Sequence, residues 1–243
     1  MLAPTSLEPL GDAALRLAFG DRIDPAINDA VRAWARAIVQ ASLPGVIEVV
    51  PTYAALTVSY DPGATDHEAI AAAITALADA VAGQSAPAVV FHLPVCYGGA
   101  FGPDLAELAA LHGLSEAEVI ARHAAPAYRI YMLGFAPGFP YLGGLDPTIA
   151  TPRLATPRPT VPAGAVGIAG GQTGVYPIET PGGWRLIGRT PVRLFAPERP
   201  RPILLEPGAL IRFEPVTPEA FDRIAALEAE GTYVVRRTAH EEA

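Results

Sequence analysis

Three stretches between residues 123 and 190 gather side chains able to hold and activate a small ligand. The first runs from Gly134 to Gly144 and sets three rings, Phe135, Phe139 and Tyr141, in a backbone that Pro137 and Pro140 fix and Gly134 and Gly138 bend. Such a loop costs little entropy to order and offers flat apolar faces to a small planar molecule; the same residues would also fill the end of a barrel. The second runs from Val161 to Pro177. Here Gly170, Gly171 and Gly174 can turn successive N–H groups toward an anion, Gln172 and Thr173 add an amide and a hydroxyl, and Tyr176 adds a ring. A β-turn or bulge uses a glycine pair in the same way. The third, Thr180 to Pro191, carries Trp184, Arg185 and Arg189. Strand alternation sends both arginines to one face, where two guanidinium forks can hold a carboxylate or phosphate, or simply meet solvent. Ahead of these stretches stands His123, a candidate general acid or base, or a helix-terminal ring interacting with the helix dipole.

Other chemistry is excluded or weakly supported. All 17 basic residues are arginine. Without lysine there is no Walker A amine, no Schiff base and no biotinylated lysine, so a phosphate must meet arginine or backbone N–H. The net charge of −8 and the scattered arginines leave no electrostatic footprint for nucleic acid. His67, His92, His112, His123 and His240 show no metal-ligand spacing, so no metal site is expected. Cys96 is the single cysteine and reads as a small buried hydrophobe in a reducing compartment. No apolar run reaches the ~20 residues of a membrane helix, and Met1 to Pro9 lacks the pattern of a leader, so a cytoplasmic protein is expected.

The elements that must position these groups fall into two halves. With 243 residues, 51% of them apolar, two domains are expected. In the first half, Leu15 to Phe19, Val46 to Val50, Ala54 to Tyr60 and Val89 to Val95 read as strands. One helix opens at Asp24 and Pro25, and another opens at a capping box of Thr65 and Glu68. The order βαββαβ predicts a ferredoxin-like split βαβ with a boundary near residues 83–95, marked by Gly83, Gln84 and Ser85. In the second half, a short helix follows Asp104, Ser115 and Glu118 cap another, and Thr217 and Pro218 open a last one. Between them, Tyr128 to Leu133, Val166 to Ala169, Trp184 to Ile187, Val192 to Phe195, Ile203 to Leu205 and Ala209 to Phe213 are strands short enough for a closed barrel or sandwich.

Taken together, GFAPGFPYLGGLD from Gly134, PRLATPRPTVPAG from Pro152, VGIAGGQTGVYP from Val166 and PGGWRLIGRTP from Pro181 resemble the B-subunit family of the prokaryotic ATP-dependent 5-oxoprolinase. The family is also described as KipI-like or allophanate hydrolase subunit 1-like. The resemblance extends to PVCYGG from Pro94 and FGPDL from Phe101, and departs at Ala165, where the family is expected to carry serine. It implies an α+β ferredoxin-like domain over residues 1–88 and a mainly-β cyclophilin-like barrel over residues 89–243. It also implies a heteromeric complex with the A-subunit of that enzyme and its KipA-like C-subunit. The complex would hydrolyse 5-oxo-L-proline to L-glutamate with ATP, any magnesium arriving through the nucleotide or a partner. On residue type and motif position, His123, Gln172 and Arg189 are the expected catalytic groups. Phe135, Phe139, Tyr141, Gly170, Gly171, Thr173, Tyr176, Trp184 and Arg185 are the expected substrate contacts. Some relatives are described as inhibitors of a sporulation histidine kinase, which gives an alternative reading as a regulatory protein.

Overall fold

Asp24 accepts hydrogen bonds from the N–H groups of Ala26 and Ile27, and Pro25 supplies a preset φ in the first turn. A 17-residue helix follows, with Ile27, Val31, Trp34 and Ile38 on its buried face. In the computed structural model, residues 2–81 and 89–239 are described, and the chain divides into two compact units, Met1–Ala86 and Pro87–Ala243. The boundary expected near Gly83, Gln84 and Ser85 lies largely outside the described residues, as does His240.

The first unit contains, in order, β1 (Ser6–Pro9), β2 (Ala14–Ala18), α1 (Pro25–Ala41), β3 (Val46–Pro51), β4 (Ala55–Tyr60), α2 (His67–Thr75) and α3 (Ala78–Val81). Its sheet has the order β1-β2-β4-β3 and every pairing is antiparallel. The helices bury Trp34, Ile38, Ile70 and Ile74 against Leu15, Leu17, Leu56 and Val58. At roughly 1.5–3 kcal/mol per large apolar side chain, this burial supplies the main stabilisation of the unit. Two expectations are corrected here. The strand at Val89 does not close this sheet; its edge is Ser6–Pro9, whose Leu7 and Glu8 pair with Leu17 and Arg16. The sequence hides that strand because it is short and half exposed, with no long alternation. The cap of α2 is Asp66 rather than Thr65, since the Asp66 carboxylate accepts from Ala69 N–H.

The second unit runs β5 (Val89–Tyr97), α4 (Leu105–Leu111), α5 (Glu116–Ala124), β6 (Tyr128–Leu133), β7 (Pro140–Gly143), β8 (Arg158–Val161), β9 (Ala165–Ala169), β10 (Gln172–Val175), β11 (Thr180–Gly182), β12 (Arg185–Arg189), β13 (Leu210–Pro215), α6 (Pro218–Ala229) and β14 (Arg237–Ala239). The strands β12-β9-β10-β7-β6-β13-β5 form a ring that closes through β12 pairing with β5, while β14 pairs with the other end of the same edge of β5 and β8 pairs with β11 apart. Alternation places Val166, Ile168, Ile130, Leu142, Ile211 and Phe213 inside the barrel. The Ser115 and Glu118 capping box and the Thr217 cap form as the sequence predicts. Val192 to Phe195 and Ile203 to Leu205 do not become strands. They form a loop pinned by the bridge of Phe195 with Ile203.

Candidate functional site

The aromatic residues of the three stretches meet one another. Phe139 is the hub, with ring centroids 5.2 Å from Tyr141, 5.4 Å from Tyr176 and 5.5 Å from both Phe135 and Trp184, all in edge-to-face geometry. Phe139, Tyr176 and Trp184 are buried and pack on Ala165, Ala169 and Leu186, which make the outer face of β9 and β12. The rings therefore fill a second small core outside the barrel wall. Burial raises the Tyr176 phenol above its ordinary pKa. Phe135 alone stays largely exposed, at φ 63°.

Of Gly170, Gly171 and Gly174, only the last is required by this packing, and the other two sit in a turn. A Cβ on Gly174 would lie 3.0 Å from the Trp184 ring and 3.1 Å from that of Phe139. Gly170 and Gly171 form a two-residue hairpin between Ala169 and Gln172, with φ 56° at Gly170. Gly170 N–H donates to Thr151 O at 2.7 Å, so it is not offered to an anion as the sequence suggested. Gln172 is half-buried at the hairpin foot, while Thr173 is completely buried.

His123 lies inside the barrel with no exposed surface, its ring stacked 4.8 Å from Phe213. Nε2 is 2.8 Å from Thr173 Oγ1, and Nδ1 is 2.8 Å from the Tyr97 hydroxyl. Because the Thr173 hydroxyl donates to Gly167 O, the ring proton belongs on Nε2, and Nδ1 accepts from Tyr97. Burial pushes the imidazole pKa down to about 3 and the Tyr97 phenol well up. A neutral ring sealed between α5, β5 and β10 ties those elements together. General acid–base work at His123 needs an exposed nitrogen, and the barrel leaves none.

The two arginines separate. A bulge between Leu186 and Gly188 shifts the register of β12, so Arg185 pairs with Ile168, an inner residue, and Arg189 with Ala165, an outer one. Residues directly opposite share a face, so the common arginine face predicted from alternation does not exist. Arg185 is mostly buried, forms an ion pair with Glu107 at 2.7 Å and directs Nε toward Pro152 O. Arg189 donates from Nε to Ala163 O at 2.9 Å, and no carboxylate among the described residues pairs with it. Gln172 and Arg189 lie opposite the two ends of β9, about 13 Å apart along the strand.

Arg189 borders a groove of about 520 Å³ lined by Gly164, Glu179, Thr190, Arg193, Phe195 and Phe221 among others. It combines the guanidiniums of Arg189 and Arg193, a carboxylate and two aromatic walls, which suits a small polar ring bearing an anionic group. Gly164, at φ 81° and tight against Thr190 O, lets the backbone close this end. Sequence reasoning quoted Thr190 without giving it a role and missed Arg193, Phe195 and Phe221, the first two because Val192 to Phe195 reads as a further strand and the last because α6 is distant in the chain. It also missed Asp104, which accepts from Arg158 Nη2 and from Leu186 N–H, both at 2.6 Å, and so anchors the strand that carries Arg189. Its place in the Phe101 to Leu105 motif was the available signal. Cys96 is buried and its thiol pKa is raised by burial and by Glu219 and Asp222. Among the described residues no group of three His, Cys, Asp or Glu side chains is placed to hold a metal ion, and no helix is long and apolar enough to cross a membrane.

A closed barrel with an aromatic outer core, joined to a small antiparallel α+β unit, defines the class of protein. Residues 5–205 match the family described as carboxyltransferase domain, subdomain C and D. The chain belongs to that family and, within it, to the 5-oxoprolinase B-subunit proteins. It is 45% identical over 218 residues to the 5-oxoprolinase B-subunit of Bacillus subtilis (strain 168), covering 85% of this chain and 91% of that protein. It is 59% identical over 123 residues to the protein of the same name from Escherichia coli O157:H7, covering 51% of this chain and 56% of that one. The crystal structure of TTHA0988 superposes with a TM-score of 0.77 at 39% identity, covering 84% of this chain but only 40% of that longer one.

Proposed function

We propose that this chain is the B-subunit of an ATP-dependent 5-oxoprolinase that hydrolyses 5-oxo-L-proline to L-glutamate together with the A- and C-subunits of that enzyme. The observation that carries the reading is the 45% identity across 91% of a protein named as a 5-oxoprolinase B-subunit. That naming does not favour the kinase-inhibitor alternative. TTHA0988 and the Kluyveromyces lactis urea amidolyase contain this fold as 40% and 16% of longer chains, which supports a component that works beside further polypeptide.

A lactam carbonyl is a poor electrophile; phosphorylating its oxygen opens the ring carbon to water and supplies a leaving group. The Arg189 groove is the proposed substrate site, its guanidinium meeting the carboxylate or the transferred phosphoryl group and its aromatic walls meeting the ring. The aromatic core around Phe139, with Tyr141, Tyr176 and Trp184, holds the outer face firm. Gln172, the glycine hairpin, Phe135 and Arg185 lie outside this groove. With no lysine here, a partner polypeptide supplies most of the ATP contacts and any magnesium. Activity is proposed only for the assembled, cytoplasmic complex. The first unit is read as a ferredoxin-like variant whose fourth strand comes from Ser6–Pro9, and the barrel as cyclophilin-like, divided at residue 88.

The test combines this chain with its A- and C-subunit partners and measures glutamate formed from 5-oxoproline and ATP. The expected result is turnover that needs all three; undiminished turnover without this chain refutes the proposal.

A further inference from the structure

The loop from Leu194 to Leu204 is held as a hairpin by the Phe195–Ile203 bridge, by Ala196 N–H to Pro202 O at 2.8 Å and by Leu204 N–H to Leu194 O at 2.9 Å. Phe195 and Pro197 face the Arg189 groove, whereas Arg199 to Arg201 and Ile203 to Glu206 border a separate cavity of about 580 Å³ that Arg237 also lines. We infer that this second cavity is an oxyanion site that takes a phosphoryl group between Arg201 and Arg237.

The three arginines around it differ in electrostatic state. Arg199 is a fixed post: Nη2 donates to the buried Glu228 carboxylate at 2.6 Å and Nη1 to Arg193 O at 3.1 Å, so its charge is already compensated. Arg237 is held 4.8 Å above the Phe91 ring. A ring face orients a guanidinium without neutralising it, and leaves its N–H edge free to donate. Arg201 has no carboxylate partner among the described residues. Two guanidiniums without a carboxylate partner among the described residues therefore border one concavity in a chain of net charge −8, beside an Arg199 that Glu228 compensates. Glu206, at the rim, is the acidic residue set against them. Two forks converging on one concavity match the two charges that a phosphoryl dianion carries on a single centre better than a carboxylate, whose charge is single or, in a dicarboxylate such as succinate, split between two ends. Ile203 and Leu205 give the remaining wall an apolar surface for the body of the ligand.

The test uses the full chain alone and needs no glutamate formation, so it stands or falls separately from the 5-oxoprolinase reading. Pyrophosphate, inorganic phosphate and succinate are titrated calorimetrically into wild type, Arg201→Gln, Arg237→Gln and Arg212→Gln, the last an exposed arginine outside both cavities, with circular dichroism confirming that each variant is folded. The inference expects saturable binding of pyrophosphate and phosphate, weaker binding of succinate, a loss of roughly tenfold or more in each of the first two variants, and wild-type affinity in Arg212→Gln. Should Arg201→Gln or Arg237→Gln be unfolded, the corresponding Lys variant retains the charge and is expected to keep most of the binding. Absence of saturation up to about 10 mM, equal affinity in all variants, succinate binding as tightly as phosphate, or an equal loss in Arg212→Gln each overturns it.

Discussion

Arg185 and Arg189 are four residues apart on one strand, yet they point to opposite faces of the barrel wall. The cause is the single extra residue, Ile187, just before the point where β12, still paired with β9, also pairs with β5 and closes the ring. Gly188 makes the closure sterically feasible, since a Cβ there would sit 2.7 Å from Val95 and 2.9 Å from Cys96 O. Two guanidiniums that the sequence offers as one clamp thus serve two purposes, one structural and one open to a ligand.

Exchange of each arginine for glutamine should separate these purposes. Arg185→Gln removes the Glu107 ion pair from a side chain that is 14% exposed and should lower stability by about 1–3 kcal/mol in a denaturant titration. Arg189→Gln should leave the denaturation midpoint nearly unchanged. In the assembled enzyme it should raise KM for 5-oxoproline about 10- to 100-fold, the value of a charge-assisted hydrogen bond. A stable Arg185→Gln protein with impaired KM, beside an unaffected Arg189→Gln, would move the substrate site to the other end of β9.

How much of this was legible follows from the range of the forces involved. Caps are local, so Asp24, Ser115 and Thr217 announced their helices in the sequence itself. Short apolar runs between glycines and prolines narrowed the second half to a closed barrel or a sandwich, and the pairing of β12 with β5 makes it a barrel. The edge strand Ser6–Pro9 and the destination of β5 were not legible, because both depend on which distant strand supplies the hydrogen bonds. The site stretches were legible as a set, since Phe139, Tyr176 and Trp184 do meet, but not as a hollow, because their mutual packing leaves no room between them. Spacing alone carries no record of a bulge, which is why Arg185 and Arg189 looked alike.

Two neighbouring glycines offer a clean contrast. Gly174→Ala places a methyl against Trp184, Phe139 and Pro140 O, all within 3.2 Å, and should cost about 1–3 kcal/mol by overpacking. Gly171→Ala faces open space and has no positive φ, so its stability should stay within about 0.5 kcal/mol of wild type. Equal effects in thermal melts would mean that the aromatic core is looser than its geometry indicates.

His123 should make the protein acid-sensitive in a defined window. Its folded pKa of about 3 lies below the ordinary 6.5, so between those values the unfolded chain binds a proton that the folded chain refuses. The contribution is present in full above pH 6.5 and is lost progressively as pH falls toward 3, to a total of roughly 5 kcal/mol. Unfolding free energies measured across this range for wild type and His123→Leu should differ in slope by up to one proton, whatever the absolute stability of the variant. Parallel slopes would show that the ring is protonated or exposed in solution.

Asp104 provides the last contrast, because its two oxygens serve two different parts of the chain. Oδ1 accepts from Arg158 and Oδ2 from Leu186 N–H, so one buried carboxylate couples β8 to the start of β12. Asp104→Ala leaves a guanidinium and a backbone N–H without their acceptor and should destabilise the barrel unit by about 3–5 kcal/mol, more than the loss of the ion pair itself, because the remaining charge has no partner. The double variant Asp104→Ala with Arg158→Met removes the stranded charge and should recover part of that loss. Additive costs in this cycle would mean that Arg158 reaches water when its partner is gone, and that the anchor of the Arg189 strand is the Leu186 N–H bond alone.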